Sequence, residues 1–381
     1  MKEKLPQDGA VAGADGFMRP PRSFPAEEFA QRLERFRAAL AHKGLDGAIV
    51  TRPVSRLYLT GFQSSAGTLL VSAEKGALFT VDFRYVIMAR REMPFVKCQA
   101  VKGDGDSATL AFAKSWKKIG YEGLTSRAAT ERLFSKIKTA DSWQEIDDML
   151  SELRAVKSPR EQKALRAAIA QGDALYAWVL PQIRPGMSEW QIRNLFRIGA
   201  DRFGHGESFD TIVCAGKFGA ECHHRPGDAI LRRGSSLLMD FGVVLDGYHY
   251  DMTRCVSFGA PSPLYKKVYS IVLKANREAI ARLRPGMTGA EVDAIARRII
   301  EKAGYGEAFG HSLGHSVGLE IHEGPNFSTK EKRVIKPGMV ITVEPGIYLP
   351  NRLGVRIEDV VLVTRNGCEV LTKSPKELTV L

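Results

Sequence analysis

What this chain lacks already excludes several classes of protein. It has five cysteines in 381 residues, an odd number, and no two of them have the Cys-x-x-Cys spacing of zinc or redox sites. A disulfide framework is therefore not expected, and reduced thiols favour a cytoplasmic protein. No apolar run approaches the about 18 residues that a membrane-spanning helix needs, so we expect no membrane partner. Residues 1–24 lack the apolar core of a signal peptide and are predicted to form a disordered tail.

The chain is basic, with a net charge of +12, yet it lacks the pattern of a nucleic-acid-binding surface. Its lysines and arginines are scattered, and its aromatic residues, 8% of the chain, are not interleaved with them. We therefore predict no nucleic-acid partner and interpret the basic runs as solvated surface. Hydrophobic residues make up 44% and charged residues 26%, a globular balance with enough length for two domains.

Hydrophobic periodicity predicts an α/β domain in the first part of the chain. Helices are predicted at residues 24–43, 85–92, 107–118, 126–138 and 143–155, and strands at residues 48–51, 57–59, 68–72, 77–82 and 96–101. Ser158-Pro159-Arg160-Glu161 then forms a capping box with proline at the first helical position, which starts a new helix. We place the domain boundary there, so the α/β domain covers residues 25–157 and a second domain covers residues 158–381.

Residues 237–254 predict a β-hairpin around an Asp246-Gly247 turn, the strongest short signal for a two-residue loop. With this turn residue i faces residue 493−i, so Asp240 and Asp251 lie on one face as diagonal neighbours. Diagonal pairs are about 7–8 Å apart, close enough for two carboxylates to converge. Such carboxylates repel unless a cation lies between them or unless each has another partner, for example Arg254.

An internal repeat relates the two halves of the second domain. Residues 184–188, Arg-Pro-Gly-Met-Ser, recur 100 residues later as Arg-Pro-Gly-Met-Thr at residues 284–288, and each copy opens a helix with its own capping box. Further along, residues 230–242 match residues 334–346 in the same order. A duplicated unit of helix and hairpin is therefore predicted, with a pseudo-two-fold axis between the copies.

The repeat predicts two more carboxylates near Asp240 and Asp251. It aligns Asp240 with Glu344 and Asp251 with Glu358, so each half would contribute two acidic side chains near the shared axis. Four carboxylates in one pocket do not all ionise without cations, and hard oxygen ligands suit a pair of divalent ions about 3.5–4 Å apart. The alternative is a structural site in which arginines neutralise the carboxylates: Arg254 and Arg356.

Six of the eight histidines fall into two clusters, one in each half: His205, His223 and His224, and His311, His315 and His322. The repeat relates His223 to His322. Residues 311–315 are not the zinc-peptidase helix motif, because no glutamate follows the first histidine and Gly314 interrupts a helix. We interpret them as a glycine-bearing segment that brings an imidazole to a metal, although spacing alone does not choose the ligand among the histidines.

These residues resemble the pita-bread metallopeptidases, a family that includes aminopeptidase P, prolidase and methionine aminopeptidase. The motifs that carry the resemblance lie within residues 158–381: Asp240, the stretch ending in Asp251 and Arg254, His311-Ser-Leu-Gly-His315-Ser-Val-Gly-Leu, His322-Glu323, Val-Glu344-Pro-Gly and Val-Arg356-Ile-Glu358-Asp. In the first domain, Tyr58-Leu-Thr-Gly-Phe62 and Val81-Asp-Phe-Arg-Tyr85 resemble the creatinase-type amino-terminal domain of the proline-specific members. The implied fold is α/β (α+β), a creatinase-type domain followed by a pseudo-two-fold pita-bread catalytic domain.

The resemblance implies two divalent metal ions and five ligands: Asp240, Asp251, His315, Glu344 and Glu358. Asp251 and Glu358 would bridge the ions, Asp240 would bind one of them, and His315 and Glu344 would complete the shell of the other. Manganese is the expected metal because the shell is rich in carboxylates, with cobalt or zinc as alternatives.

The resemblance also implies a set of catalytic residues: Glu344, His223, His322, His311 and Arg356. His223 and His322 correspond to substrate-binding imidazoles, His311 to a further active-site histidine, and Arg356 to an arginine beside the metal carboxylates. Three residues depart from the common family pattern without removing a ligand: Cys222 in place of proline, His224 in place of glycine and Ser316 in place of glycine.

The implied reaction is hydrolysis of the peptide bond before proline, as in an Xaa-Pro aminopeptidase or an Xaa-Pro dipeptidase (prolidase). A hydroxide bridging the two ions would be the nucleophile and Glu344 the base. The expected partners are a peptide substrate with proline as its second residue and a second copy of the chain, joined through the amino-terminal domain as a homodimer. The alternatives are a catalytically silent pita-bread binding module and a metal-free hydrolase like creatinase, both of which should lack the carboxylate set.

Overall fold

The computed structural model describes residues 24–102, 106–125 and 127–381. The predicted disordered tail over residues 1–24 lies outside these ranges, apart from Phe24. Within the described ranges, no helix combines the length and the apolar character that crossing a membrane requires.

The first part of the chain forms a six-stranded mixed sheet. Its helices are α1 (Ala26–His42), α2 (Pro53–Thr60), α3 (Val86–Glu92), α4 (Asp106–Phe112), α5 (Arg127–Lys136) and α6 (Asp147–Ala155). Its strands are β1 (Gly47–Val50), β2 (Thr68–Ser72), β3 (Gly76–Val81), β4 (Lys97–Ala100), β5 (Lys118–Tyr121) and β6 (Ser142–Glu145). The strand order is β4-β3-β2-β1-β5-β6, with β2 antiparallel to both of its neighbours and the other pairs parallel.

Both faces of this sheet are buried because successive side chains of its strands enter different cores. Val50 packs in the core that also contains Phe36 of α1. Its neighbour Ile49 packs in a smaller cluster with Trp116 and Leu70 on the other face. The α/β architecture predicted for this part of the chain is confirmed.

One local prediction for this domain is wrong, and two predicted helices are shorter than expected. Residues 57–59, predicted as a strand, lie in α2, where Pro53 occupies the first helical position and Gly61 ends the helix with a φ of 71°. This helix is buried on all sides, so it has no one-sided periodicity for the sequence to show. The helix predicted at 107–118 is present as α4 but ends at Phe112, and its last predicted residue already belongs to β5. The helix predicted at 143–155 is present as α6 but begins at Asp147, after β6. The sequence did not predict these two strands, because β5 is set by parallel pairing with β1 and β6 by parallel pairing with β5.

The second part of the chain adds four long helices and a second series of strands. The helices are α7 (Pro159–Val179), α8 (Glu189–Phe203), α9 (Pro263–Arg282) and α10 (Gly289–Lys302). The strands are β7 (Ile212–Ala215), β8 (Ser236–Phe241), β9 (Val244–Leu245), β10 (Tyr248–His249), β11 (Met252–Ser257), β12 (Gly314–Ser316), β13 (Glu323–Phe327), β14 (Val340–Val343), β15 (Gly346–Leu349), β16 (Leu353–Arg356), β17 (Asp359–Val363), β18 (Cys368–Val370) and β19 (Thr379–Val380). Short 3-10 turns lie at Leu180–Gln182, Gly216–Ala220 and Gly306–Ala308.

The two copies of the sequence repeat have the same local structure. Ser188 and Thr288 both close capping boxes at the start of α8 and α10. Gly186 and Gly286 both adopt a left-handed conformation, with φ values of 90° and 94°, which suits glycine because it has no side chain. Their N–H groups both donate 2.9 Å hydrogen bonds to the segment that leads into the next hairpin. The predicted duplication is confirmed.

The duplicated hairpins form the centre of the second domain. In the first half, β8 pairs with β11 inside a four-stranded sheet of order β19-β11-β8-β7. In the second half, β14 pairs with β17 inside a five-stranded sheet of order β13-β12-β14-β17-β18. Each hairpin continues as a separate two-stranded ribbon, β9-β10 or β15-β16, beyond a break in its ladder.

Candidate active site

One cavity of about 860 Å³ collects all nine residues that the sequence singles out: His223, Asp240, Asp251, His311, His315, His322, Glu344, Arg356 and Glu358. Side chains of the amino-terminal domain, including Arg52, Asp148 and Arg154, complete its wall. The other two clustered histidines, His205 and His224, do not line this cavity. The placement leaves the individual roles of the nine residues as predictions.

The first hairpin has the predicted register, since Thr253 faces Asp240 and Tyr248 faces Leu245. Its turn residues Asp246 and Gly247 have φ values of 49° and 80°, as a type I′ turn requires. The ladder breaks next to the acidic residues. Asp251 lies between β10 and β11, and Asp240 precedes the last residue of β8.

The second hairpin breaks in the same way. Val343 faces Asp359 before the break and Gly346 faces Arg356 after it. Glu344 and Glu358 therefore occupy opposite positions in the gap. Because the backbone groups at the break leave the ladder, both carboxylates can turn towards the cavity between the two hairpins rather than across a flat sheet.

His315 is the ligand-type histidine that meets these carboxylates. It lies in β12, and Gly314 before it lets β12 approach β14, since a Cβ there would come within 1.9 Å of a carbonyl oxygen. Its Nε2 lies 3.4 Å from Asp251 Oδ2 and 3.5 Å from Glu344 Oε1. Potential ligand atoms of Asp251, His315 and Glu358 all lie within 4.8 Å of one another.

The hydrogen bonds of His315 indicate its tautomer. Its Nδ1 lies 3.2 Å from the carbonyl oxygen of Ser316, to which it donates. In a neutral ring, Nε2 would then carry the lone pair and present it towards the carboxylate oxygens, as a metal ligand does. Histidine ligands of metals are commonly oriented by such a bond from the second ring nitrogen.

Each half of the domain supports a carboxylate of the other half. Thr253 from the first half donates a 2.8 Å hydrogen bond to Glu358 of the second, and it accepts one of 2.8 Å from Arg356. Arg356 in turn forms an ion pair with Asp240 of the first half. These bonds tie the two hairpins together and fix one oxygen of each carboxylate.

Three oxygens of the carboxylate cluster have no hydrogen-bond partner among the residues that the structure describes. Asp240 Oδ1, Asp251 Oδ1 and Glu358 Oε1 are buried without a hydrogen bond, an expensive arrangement for charged groups. Burial and the neighbouring carboxylates raise the pKa of Asp251 and of Glu358 well above their ordinary values. The donor set of three orphaned carboxylate oxygens and one imidazole lone pair therefore fits divalent cations.

The arginine alternative holds for one carboxylate among the four. Arg356 does pair with Asp240. Arg254 instead pairs with Asp359 at 2.7 Å, a residue outside the predicted set. Since Asp251 has no arginine partner among the described residues, arginines do not neutralise the whole cluster.

The two imidazoles related by the repeat both line the cavity. The ring of His322 lies 4.4 Å from that of His315, centroid to centroid. Burial and the nearby rings of His315 and His223 lower the pKa of His322. His223 and His322 are both exposed to the cavity, so both can reach a bound substrate.

His311 has a different setting, held at both ring nitrogens. Its Nδ1 donates to the carbonyl oxygen of Ser312 at 2.8 Å, and its Nε2 accepts from the hydroxyl of Tyr348 at 2.9 Å. That hydroxyl accepts a 2.9 Å bond from Arg356. Burial and the charge of Arg356 lower the pKa of His311 to about 4, so the ring is neutral near pH 7.

The amino-terminal domain fixes the segment that carries His322. Arg154 of α6 forms ion pairs with Glu323 and, at 2.8 Å, with Glu320. Lys157 binds Glu323 at 3.0 Å. Burial raises the pKa of Glu323, but the two cations outweigh it and hold that pKa at about 2. The domain therefore acts on the site through charges next to the imidazole.

Several of these contacts were missed by reasoning from the sequence. They involve Thr253, Tyr348, Arg154 and the glutamates at 320 and 323. The predicted register places Thr253 opposite Asp240, as observed, but its hydrogen bonds with Glu358 and Arg356 join the other half and do not follow from that register. Tyr348 and Arg154 carry no local signal, because their partners lie in other segments.

Comparison with known proteins agrees with this geometry. Residues 163–365 match metallopeptidase family M24, and residues 32–156 match the creatinase/prolidase N-terminal domain. The uncharacterized peptidase YqhT of Bacillus subtilis (strain 168) is 36% identical over 357 residues, which is 92% of this chain and 100% of that protein.

Solved structures of two bacterial enzymes have the same fold. A structure of an Xaa-Pro dipeptidase from Bacillus anthracis superposes with a TM-score of 0.89 at 36% identity, covering 93% of this chain and 100% of that one. A structure of an X-Pro aminopeptidase from Thermotoga maritima MSB8 gives a TM-score of 0.82 at 35% identity, covering 89% and 98%. The predicted fold and family are confirmed: the chain belongs to metallopeptidase family M24 and carries a creatinase/prolidase N-terminal domain.

Proposed function

We propose that this chain hydrolyses the peptide bond that precedes a proline in the second position of a peptide, using two divalent metal ions. The observation that carries the proposal is the group of orphaned carboxylate oxygens on Asp240, Asp251 and Glu358, which meets the lone pair of His315 in one cavity. The names of the two structural relatives, an Xaa-Pro dipeptidase and an X-Pro aminopeptidase, support the substrate class.

The ligands would be the five residues predicted from the resemblance: Asp240, Asp251, His315, Glu344 and Glu358. When bound, divalent ions supply a Lewis acid for the carbonyl and lower the pKa of the attacking water. Manganese suits this carboxylate-rich set, with cobalt or zinc as alternatives.

Glu344 is the proposed base. Its Oε1 accepts a 3.3 Å bond from the hydroxyl of Thr342, which orients the carboxylate towards His315 and the cavity. Burial raises the pKa of Glu344 above its ordinary value, which strengthens it as a proton acceptor. The carboxylate would take a proton from the attacking water and pass it to the prolyl nitrogen, which becomes the amine of the product.

His223 and His322 would donate N–H groups to the oxygen of the scissile carbonyl as it gains negative charge. His311 is already held by Tyr348 and Ser312, so its proposed part is to orient the Tyr348 hydroxyl beside Arg356. Arg356 would fix the carboxylate of Asp240. The amino-terminal domain would close one side of the cavity and limit the entry of water.

The test is hydrolysis of Xaa-Pro and Xaa-Pro-Yaa peptides by metal-stripped protein, before and after manganese is restored. We expect no cleavage without metal and cleavage with it. Cleavage of the dipeptide alone would define a dipeptidase, whereas cleavage of the longer peptide would define an aminopeptidase. Binding of two ions without cleavage of either peptide would instead favour a silent binding module.

We also propose a homodimer through the amino-terminal domain. Phe83 and Ile87 support it, since they are large apolar side chains that are 81% and 79% exposed on that domain. Sedimentation equilibrium should give twice the mass of the chain, and charged residues at both positions should give the mass of the monomer.

A further inference from the structure

The residue after His223 is itself a histidine, and it is held between two acidic side chains. The ring of His224 places Nδ1 at 2.7 Å from Glu221 Oε2 and Nε2 at 2.8 Å from Glu189 Oε2. An imidazole has a hydrogen on both nitrogens only when it is protonated. The geometry therefore fits a charged His224, which donates to a carboxylate on each side.

Glu189, one of the two carboxylates, is itself held in place by the main chain. It is the first residue of α8, it is 1% exposed, and it also accepts hydrogen bonds from the main-chain N–H groups of Ala215 at 2.7 Å and Gly227 at 3.1 Å. These groups lie on both sides of residues 216–224. Glu189 and His224 thus close the segment that carries His223 against the end of β7.

Packing supports the same segment from its other side. The ring of His224 stacks on Phe218, with centroids 5.0 Å apart and planes 25° from parallel. A Cβ on Gly219 would lie 3.1 Å from the main-chain nitrogen of Gly354, so the turn at Gly216–Ala220 rests directly on β16. The main chain at residues 218–224 therefore has few ways to move without breaking the His224 contacts.

The ring of His223, in contrast, has no hydrogen bond to another described residue, and it is exposed to the cavity. Its position depends on the main chain that carries it. We propose that His224 is a positioning residue for His223, and that its paired contacts with Glu189 and Glu221 make the alignment of His223 dependent on pH.

The sign of this dependence follows from the charges that surround the ring. Burial lowers the pKa of His224, but the hydrogen bonds with Glu189 and Glu221 outweigh it and raise that pKa above its ordinary value. The other groups nearby are Lys217, whose ammonium lies 5.4 Å from the Phe218 ring, and the thiol of Cys214 near Glu189. The contact is therefore present while His224 is protonated and both glutamates are ionised, and it is lost as pH rises through the raised pKa, when one ring nitrogen faces a carboxylate without a proton.

This inference rests on the proposed function, because it assigns His223 to the substrate. The kinetic test compares pH profiles of kcat and kcat/KM for an Xaa-Pro-Yaa peptide in four manganese-loaded proteins: wild type, His224→Gln, His224→Arg and His205→Gln. His205→Gln is the matched control, a half-buried histidine of the same half that faces Asp246 outside the cavity.

We expect His224→Gln to lower kcat/KM by about 10- to 100-fold at pH 7, because a small misplacement of a reacting group has a cost of this size. The difference from wild type should shrink at alkaline pH. His224→Arg keeps a positive charge and donors for both carboxylates, so it should retain activity. Its kcat/KM should not show the decrease at alkaline pH that we expect for wild type. Parallel profiles for wild type and both variants at residue 224 would overturn the proposal.

A second measurement separates this inference from the proposed function. In NMR spectra of zinc-loaded protein, the ring signals of His224 should titrate above the ordinary histidine range, and those of His223 should shift at the same pH. An ordinary titration of His224, or no response of His223, would overturn the inference even if the peptides are cleaved. If no peptide is cleaved but the linked shifts are present, the proposed function fails and the positioning of His223 by His224 stands.

Discussion

The two halves of the second domain hold their cavity-facing imidazoles by the same kind of contact, with the charges reversed. In each, an imidazole that faces the cavity is followed by a charged residue with two partners of the other sign. His224 follows His223 and binds Glu189 and Glu221. Glu323 follows His322 and binds Arg154 and Lys157. The repeat therefore preserves the anchoring of the imidazole while the side chains that supply it have changed.

The source of the partners differs between the halves. The contact that holds the His223 segment is formed by residues of the same half. It depends on pH, because it requires a protonated His224. The contact of Glu323 takes its cations from the end of the amino-terminal domain, where Arg154 lies in α6 and Lys157 lies two residues beyond it. Because these cations hold the pKa of Glu323 at about 2, the carboxylate stays charged at pH values well above 2. We infer that the support of His322 by the amino-terminal domain does not change with pH above about 2, whereas the support of His223 by His224 does.

The largest effect should come from removing Glu344, the proposed base, which lies in the second half. Glu344→Ala should lower kcat by about 10³-fold or more, because a general base contributes up to about 10⁴-fold and a ligand is lost as well. Metal content by mass spectrometry separates the two causes. Glu307→Ala, at an exposed position of the same half, is the control, and unchanged turnover in Glu344→Ala would remove the proposed base.

The next test compares the two imidazoles directly. His223→Ala and His322→Ala should each lower kcat/KM by roughly 10²-fold to 10³-fold if each donates to the developing negative charge. The ring of His322 also contacts that of His315, so we expect the larger loss, and a fall in metal affinity, for His322→Ala. Equal metal affinities in the two variants would contradict this asymmetry.

The anchor from the amino-terminal domain is tested by Arg154→Met. The change leaves Glu323 buried with Lys157 alone, and removing one member of a buried ion pair costs about 3–5 kcal/mol. We expect a lower free energy of unfolding in urea together with a lower kcat/KM. The matched control is Arg166→Met, whose surface pair with Glu369 should contribute about 0–1 kcal/mol. Similar losses in the two variants would argue against a special role for Arg154.

The same comparison shows what the sequence could and could not predict. The hairpin register was predictable to the residue, because the Asp246-Gly247 turn fixes it, and the repeat then located Glu344 and Glu358 opposite the first pair. Capping boxes located the starts of α7, α8 and α10. These are local signals, or signals that a duplication makes visible twice.

Features set by distant contacts were not predictable. The strand β6 is an exposed edge of the sheet, and it exists because it pairs with β5. Tyr348 reaches Arg356 and His311 through the folding of three separate segments. His224 was visible as a departure from the family pattern, but its partner Glu189 lies 35 residues earlier in the chain, and no spacing rule joins them.

The smallest effect should come from the hydrogen bonds that cross between the halves. Thr253→Val removes the 2.8 Å bond to Glu358 and the acceptor for Arg356, and such outer contacts alter metal affinity by about 10- to 100-fold. Thr342→Val removes the 3.3 Å bond to Glu344 and the acceptor of a 3.0 Å bond from the main-chain N–H of His315. Both contacts lie within one half and support proposed ligands, so we expect a change of similar size. Thr372→Val, a buried threonine that accepts a bond from Val360 outside the cavity, controls for the loss of a buried hydroxyl. Titration calorimetry with manganese measures all three, and an equal affinity in Thr253→Val and Thr372→Val would show that the bonds of Thr253 between the halves do not support the metal ligands.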